Sequence, residues 1–349
     1  MRIYTADGWL DTKHIEEVAD RNDINYIVII GKRQVGKTYG VLNLMLEENK
    51  KFILLRGMKT ELDMLERGVN SPFEKIKGYE KKIEMVKNSE YTADIKRLDT
   101  DEDGNDVVTI IGMGAALSSI GRIRGFNGDI YTDVVFDEAI PESHLLKVRG
   151  GGDAFLNMYT TVNGNRELEG RPALRVWILA NSNNLDSDIL AALKITDVVE
   201  RMSIRGEESR ILKDRGIMIL LPDSAHITEL RKKTALYRAI GGDSKFAKMA
   251  YGNEFAYNDY SDVTTRPLQE FNVIAQIGDL FIHLHKDDKT LYITRRYGRP
   301  PKRVYNDADY GRNKFMRDYP EIKAAFLRGR ISFQNMVVKN EFLHFLDLV

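Results

Sequence analysis

The chain has 349 residues, 43% of them hydrophobic and 30% charged, with 52 Lys and Arg balancing 52 Asp and Glu. This is a globular composition, long enough for two or three domains with a substantial core. Zero cysteines exclude disulfides and thiol-ligated zinc, and the lack of a long apolar run or leader pattern excludes a transmembrane helix and predicts a cytoplasmic protein.

Met1 to Asp23 reads as a lead-in with a short helix over Thr12–Arg21. The apolar run Tyr26–Ile30 then predicts a buried strand. Gly31-Lys-Arg-Gln-Val-Gly-Lys-Thr38 follows at once, ahead of a helical pattern from Tyr39. A Gly-x-x-x-x-Gly-Lys-[Ser/Thr] octapeptide between strand and helix is the context that identifies a phosphate-binding loop rather than a plain glycine turn. Gly31 and Gly36 let backbone amides wrap a phosphate, and the helix N-terminus favours an anion. Lys37 adds a charge at the β- and γ-phosphates of ATP, and Thr38 offers a hydroxyl to Mg²⁺.

Phe52–Leu55 predicts a second buried strand. Tyr91–Leu98 and Val107–Met113 read as a hairpin around Asp103-Gly104-Asn105. Asp99-x-Asp101-x-Asp103-Gly104 opens like a calcium loop, but its twelfth position is Ile110, where a bidentate Glu is required, so it reads as a charged hairpin tip. Val134-Val-Phe-Asp137-Glu138 is an apolar strand ending in two acids. Asp137 is placed to hold Mg²⁺ beside the phosphates, and Glu138 to act as base toward an attacking water. The alternative is a strand that merely ends in acidic loop residues. Arg175–Ala180 predicts another buried strand. Strands alternating with helical stretches indicate an α/β fold with a mostly parallel sheet, in the arrangement of motor-type ATPases with an additional strand and an adjacent catalytic Glu. A guanine-reading Asn-Lys-x-Asp is absent.

The character changes at Ser209–Ser261, which reads as a small helical connecting module: Arg231-Lys-Lys233, a short amphipathic stretch, Gly241-Gly242 and a helix from Ser244. Three domains are therefore expected, at 1–208, 209–261 and 262–349. In the last, Phe271–Gln276, Leu280–His285 and Thr290–Thr294 predict an antiparallel meander. A polar loop with Pro300-Pro301, a helix over Tyr319–Arg328, a strand at Ile331–Phe333 and a final helix follow. This suggests an α+β, ribonuclease-H-like domain. His283 and His285 share a strand face and read as surface residues rather than a metal site. Residues 262–349 carry 15 basic against 11 acidic residues, and ten basic against four acidic between Lys286 and Arg317. Lys286, Lys289, Arg295, Arg296, Arg299, Lys302 and Arg303 are thus candidates for contacting a polyanion such as DNA or structured RNA, with a solvated face as the equal alternative.

Together these residues resemble the DNA-packaging ATPases of small short-tailed, protein-primed phages of the salasvirus type, reduced relatives of the large terminases. The resemblance spans Gly31–Thr38, Phe52–Arg56 with Glu61-Leu62, Val135–Glu138, Leu156-Asn157 with Asn165-Arg166-Glu167, Asn181, Arg231–Thr234 and Lys323–Phe333. It implies a homomeric ring, a pentamer in this family, at the portal vertex of an empty capsid in the host cytoplasm. Such a ring pumps double-stranded DNA inward on ATP and Mg²⁺, in some cases with a scaffold RNA. It further implies that Arg33 senses the γ-phosphate, that Asn181 touches the γ-phosphate or the attacking water, and that Arg56 belongs to the nucleotide site. A ring motor also needs an arginine donated to the neighbour's site. Arg124 is the first candidate and Arg166 the second, with Arg122 and Arg171 behind. Relatives carry a further arginine where Gly164 stands here.

The acids of the C-terminal region fall in turns (Asp279, Asp287, Asp288) or in the polar loop (Asp307, Asp309), not inside strands. A two-metal nuclease needs acids converging from rigid elements, so this domain reads as a nuclease-like fold that does not cut and instead binds portal, DNA or RNA. The alternatives are a cutting terminase or helicase-like motor, and a non-catalytic nucleic-acid-binding portal adaptor.

Overall fold

The computed structural model describes all residues except 1, 33–34, 68–70, 80–81, 102, 123–127, 142–147, 149, 183–184, 186, 241–260, 298–299, 307 and 347–349. The chain divides into two compact units. The first is Met1–Ile195 with Arg201–Ala256, and the second is Thr196–Glu200 with Tyr257–Val349.

The first unit is built on nine strands: β1 (Tyr26–Gly31), β2 (Phe52–Arg56), β3 (Ile83–Lys87), β4 (Thr92–Thr100), β5 (Asp106–Ala116), β6 (Asp133–Phe136), β7 (Arg175–Asn181), β8 (Ser209–Leu212) and β9 (Ile217–Leu220). They form one sheet in the order β3-β4-β5-β2-β6-β7-β1-β9-β8. The block from β5 to β9 is parallel throughout, and an antiparallel ribbon closes each edge. Buried runs such as Tyr-Ile-Val-Ile-Ile in β1 and Val-Trp-Ile-Leu-Ala in β7 are what a sheet covered on both faces requires. Helices α1 (Thr12–Arg21), α2 (Lys37–Glu47), α3 (Lys59–Glu66), α4 (Gly151–Asn163), α5 (Asp188–Ala192), α6 (Thr196–Arg205), α7 (Ala225–Lys232) and α8 (Ala235–Ile240) alternate with or follow these strands. Phe52, Phe73, Phe136, Phe155 and Trp177 are the large side chains sealed in the core.

Between β1 and the acidic strand β6 lies β7, which comes after β6 in the chain. One sequence expectation changes here. Residues 209–220 do not open a connecting module: β9 pairs in parallel with β1, from Tyr26↔Ile217 to Ile29↔Leu220, and β8 folds back on β9. The apolar Ile-Met-Ile-Leu of β9 is fully buried and completes the sheet. The helix expected from Ser244 lies outside the described residues.

The second unit carries β10 (Phe271–Ile277), β11 (Leu280–His285), β12 (Leu291–Thr294), β13 (Val304–Tyr305) and β14 (Ile331–Phe333), with α9 (Asp309–Asp318), α10 (Ile322–Leu327) and α11 (Met336–Phe345). The meander β10-β11-β12 is antiparallel as expected. Phe315, Phe333, Phe342 and Ile293 pack its core. The sheet order is β13-β10-β11-β12-β14, with β13 parallel to β10 and β14 parallel to β12. A ribonuclease-H-like layout would extend the sheet outward beyond β13. Here the last strand returns to the opposite edge, where Ile331 and Phe333 reach the core beside Leu291 and Ile293. The loop expected before residue 319 also contains α9, whose Gly311 and Phe315 face inward.

Candidate nucleotide site

The six parallel strands all end on one side of the sheet, and the order of connections reverses around β1 and β7. Open α/β sheets bind ligands outside the carboxyl ends of strands at such a point. The residues that carried the sequence reading meet there. Gly36 adopts the left-handed conformation at φ +86° and caps α2, a geometry that suits glycine. A Cβ on Gly31 would lie 2.8 Å from Pro222 Cγ, so the loop is seated closely on the segment leaving β9.

Lys37 is buried. Its ammonium donates to the Gly31 carbonyl (2.9 Å), the Lys32 carbonyl (2.6 Å) and Asn181 Oδ1 (3.1 Å). Asn181 is brought there by the parallel register of β7 and β1, which pairs it with Gly31. Thr38 Oγ1 donates to Asp137 Oδ1 at 2.8 Å. Arg56, at the end of β2, grips both acids: Nη2 lies 2.9 Å from Asp137 Oδ2 and Nη1 lies 3.1 Å from Glu138 Oε2. Arg56 is almost wholly buried, and its Nε is without a hydrogen-bond partner. Glu138 is half-exposed and stands at φ +57°, a strained conformation for a residue with a Cβ. Strain of this kind clusters at functional sites.

Of the sequence candidates, Gly31, Gly36, Lys37, Thr38, Arg56, Asp137, Glu138 and Asn181 are brought together. Arg33 and Arg124 lie outside the described residues, as does the Arg122 side chain. Arg166 is not where a trans-acting arginine must be. It is only 4% exposed and donates from Nη2 to the carbonyls of Gly128 and Tyr131. Burial also lowers its pKa below the ordinary arginine value. A guanidinium spent on its own backbone cannot enter a neighbouring subunit, and Arg166 is withdrawn from that role. Arg171 is at the surface, paired with Glu169 (2.6 Å) and Asp129 (3.3 Å).

Sequence reasoning missed two neighbours of the loop. Lys32 is buried and bonds Asp223 and Thr228 (2.7 Å), tying the loop to the segment that starts α7. Trp9 stands with Cε3 3.4 Å from where a Cβ on Gly36 would lie, with nearly half its surface exposed. Neither has a local sequence signal, because both contacts depend on the tertiary fold.

In the second unit, several of the basic candidates have local partners. Arg295 pairs with Glu341 (2.7 Å) and Arg303 with Asp318 (3.2 Å). Lys286 donates to the Gln269 carbonyl (2.5 Å), and Lys289 to that of Lys286 (2.7 Å). Arg296 and Lys302 are exposed, and Arg299 lies outside the described residues. His283 is not a surface residue: it is buried, bonded to the Arg296 carbonyl at 3.1 Å, and its pKa is lowered by burial. His285 sits against Asp288 (3.1 Å). Asp288 bonds the Thr290 amide and hydroxyl, and Asp309 opens α9. Among the described residues no three acids, histidines or cysteines gather as a metal site. None of the described helices is long and apolar enough to cross a membrane.

A family model described as podovirus DNA encapsidation protein (Gp16) matches residues 14–346. The chain is similar to a protein in the bacteriophage phi29 viral genome packaging motor assembly, at 20% identity over 99% of both chains and a TM-score of 0.65. It is also similar to a chain of the Phi-28 gp11 DNA packaging motor, at 16% identity over 99% of both chains and a TM-score of 0.59. At these identities the likeness is one of fold. No curated protein matches the chain in sequence.

Proposed function

The chain belongs to the podovirus DNA encapsidation protein (Gp16) family, and from that premise we propose that it is a Mg²⁺-dependent ATP hydrolase of the additional-strand, catalytic-Glu type that drives double-stranded DNA into an empty capsid. One observation carries this reading: Lys37, Thr38, Arg56, Asp137, Glu138 and Asn181, drawn from four separate segments, converge at the ends of adjacent parallel strands.

Lys37 neutralises the β- and γ-phosphates while the amides of the loop hold them. The Thr38 hydroxyl and the Asp137 carboxylate, already 2.8 Å apart, form an all-oxygen donor set of the kind Mg²⁺ takes while keeping several waters. When bound, that ion supplies charge neutralisation at the phosphates. Glu138 accepts the proton of the attacking water. Asn181 bonds the lysine ammonium and is placed to respond when phosphate replaces the loop carbonyls around it. Arg33 is proposed as a γ-phosphate sensor. In a homomeric ring Arg124 of one subunit stabilises charge in the next. The second unit anchors the motor to the capsid portal, directly or through RNA, and does not cut DNA.

The experiment is ATP-dependent protection of double-stranded DNA from nuclease in the presence of purified empty capsids. Protection that needs ATP and is lost in Lys37→Ala is expected. Metal-dependent nicking would favour a cutting terminase, and a lack of hydrolysis with DNA and capsids present would leave only an adaptor.

A further inference from the structure

The β4–β5 hairpin takes no part in the nucleotide site, yet it is the longest ribbon of the sheet. Its neighbour β3 runs out at Ile83↔Arg97, while β4 and β5 continue to pair through Leu98↔Val108, Asp99↔Val107 and Thr100↔Asp106. Residues directly opposite in an antiparallel pair share a face, and the face alternates along the strand. Leu98, Val108 and Ile110 therefore form one stripe, and all three are exposed, Val108 by 60%. A projecting two-stranded ribbon is marginally stable alone, and a contiguous exposed apolar stripe marks an interaction surface.

The tip beyond the stripe is strongly acidic. Residues 99–106 hold five acids (Asp99, Asp101, Glu102, Asp103, Asp106) and no base. Asp101 is used internally: Oδ1 accepts from the amides of Asp103 (3.0 Å) and Asn105 (2.7 Å), which turns the chain. Asp99 pairs with Arg97 of its own strand (2.8 Å), and the exposed Asp103 and Asp106 repel a phosphate backbone and fit a basic partner. The same chain carries one. Residues 295–303 hold five bases (Arg295, Arg296, Arg299, Lys302, Arg303) and no acid. Two exposed apolar side chains accompany them. Tyr297 is 59% exposed, its ring stacked on Phe281 at 4.6 Å, and Val304 is 65% exposed.

We infer that the acidic, apolar hairpin of one copy docks on the basic, apolar surface of Arg296, Tyr297, Lys302 and Val304 on a second copy. The contact matches the exposed acids Asp103 and Asp106 with the exposed bases Arg296 and Lys302, and apolar stripe with apolar patch. It joins two different faces, so it is head-to-tail and generates a ring when the rotation closes. The polyanion expected on charge alone for the C-terminal region is then the neighbour's hairpin and not DNA. The local pairs Arg295–Glu341 and Arg303–Asp318 leave Arg296 and Lys302 as the bases that the hairpin acids meet. The inference deepens the ring reading but does not depend on ATP hydrolysis.

The absence of native cysteines makes disulfide trapping clean. Full-length Val108→Cys and Val304→Cys proteins are mixed and mildly oxidised, with Leu168→Cys, at an exposed site elsewhere, as the control partner. A covalent dimer from Val108→Cys with Val304→Cys, formed at least tenfold faster than with the control, is expected. Adding Asp103→Lys and Asp106→Lys to the first protein should abolish that preference. Adding Arg296→Glu and Lys302→Glu to the second should restore it. Equal trapping with the control overturns the proposal, as does a preference indifferent to both charge reversals. Duplex DNA that binds the Arg295–Val304 surface and eliminates the dimer at equimolar concentration would instead assign that surface to nucleic acid. Hydrolysis measured on the same proteins separates failure of this contact from failure of the ATPase reading.

Discussion

Thr38 Oγ1 donates a 2.8 Å hydrogen bond to Asp137 Oδ1 across 99 positions of sequence. Neither residue's role follows from its own segment: a threonine opening a helix and an aspartate ending a strand are both ordinary. The parallel pairings β1–β7 and β7–β6 bring the two strand ends to the same edge of the sheet, with β7 between them, and let the two oxygens meet.

Lys37→Ala and Glu138→Gln should fail in different ways. Removing Lys37 takes away the only loop charge that the described residues direct at Gly31 and Asn181, and turnover should fall below detection with ATP binding weakened. Glu138→Gln keeps size and polarity but cannot accept a proton, so binding should persist while hydrolysis slows by roughly 10²–10⁴-fold. Nucleotide-binding isotherms beside steady-state phosphate release test this. Normal turnover in the glutamine variant would remove Glu138 from the base role.

Arg56→Met should damage both stability and turnover. Arg56 is the cation between Asp137 and Glu138, and its loss leaves two adjacent carboxylates without that counter-charge. The cost should be roughly 2 kcal/mol, the scale of hydrogen bonds to charged groups. Chemical denaturation reads it. Mg²⁺ should recover part of the loss by binding the freed carboxylates, and a variant as stable as the parent without metal would contradict the bridging role.

Arg166 and Arg124 separate cleanly. Arg166→Ala removes a buried donor to the carbonyls of Gly128 and Tyr131 and should cost about 2–4 kcal/mol, with turnover per folded molecule preserved. Arg124→Ala should leave stability unchanged and suppress hydrolysis. If Arg124 acts in trans, mixing Arg124→Ala with Glu138→Gln subunits pairs some intact sites with intact donors and restores part of the rate. Verified mixed rings without recovery would pass the role to Arg122 or Arg171.

The second unit should be acid-sensitive. Burial lowers the His283 pKa in the folded state, so between that value and the unfolded value of about 6.5 the unfolded chain binds more protons. Stability from this group is complete above about pH 6.5 and declines as pH falls. His283→Gln keeps a donor for the Arg296 carbonyl and does not titrate, so melting between pH 5 and 7.5 should show a flatter acid limb than the parent. Superimposable profiles would show that His283 does not contribute.

The clustering of the candidate nucleotide site was readable from sequence because its residues are locally constrained. Gly36 needs a positive φ, Lys37 and Thr38 must open a helix, and Asp137 must end a buried strand. Arg56 could be placed near them but its double grip could not be derived, since it requires β2 to lie beside β6. Arg166 misled for the opposite reason: an arginine in a polar stretch looks exposed, and only the approach of residues 128–131 buries it. Strand β9 was hidden because a four-residue apolar run does not distinguish strand from helix, and β8, Ser-Arg-Ile-Leu, carries no such run at all. His283 looked exposed because alternation assigns a face but not whether that face is covered.

Glu138 at φ +57° has a consequence for how this protein can change. A side chain in that conformation costs on the order of 1 kcal/mol relative to glycine. Glu138→Gly relieves that strain but also gives up the 3.1 Å pair with Arg56, so it should end turnover with little change in melting temperature. Folding alone has no use for a side chain in this conformation, and its retention answers to the genome that must be moved.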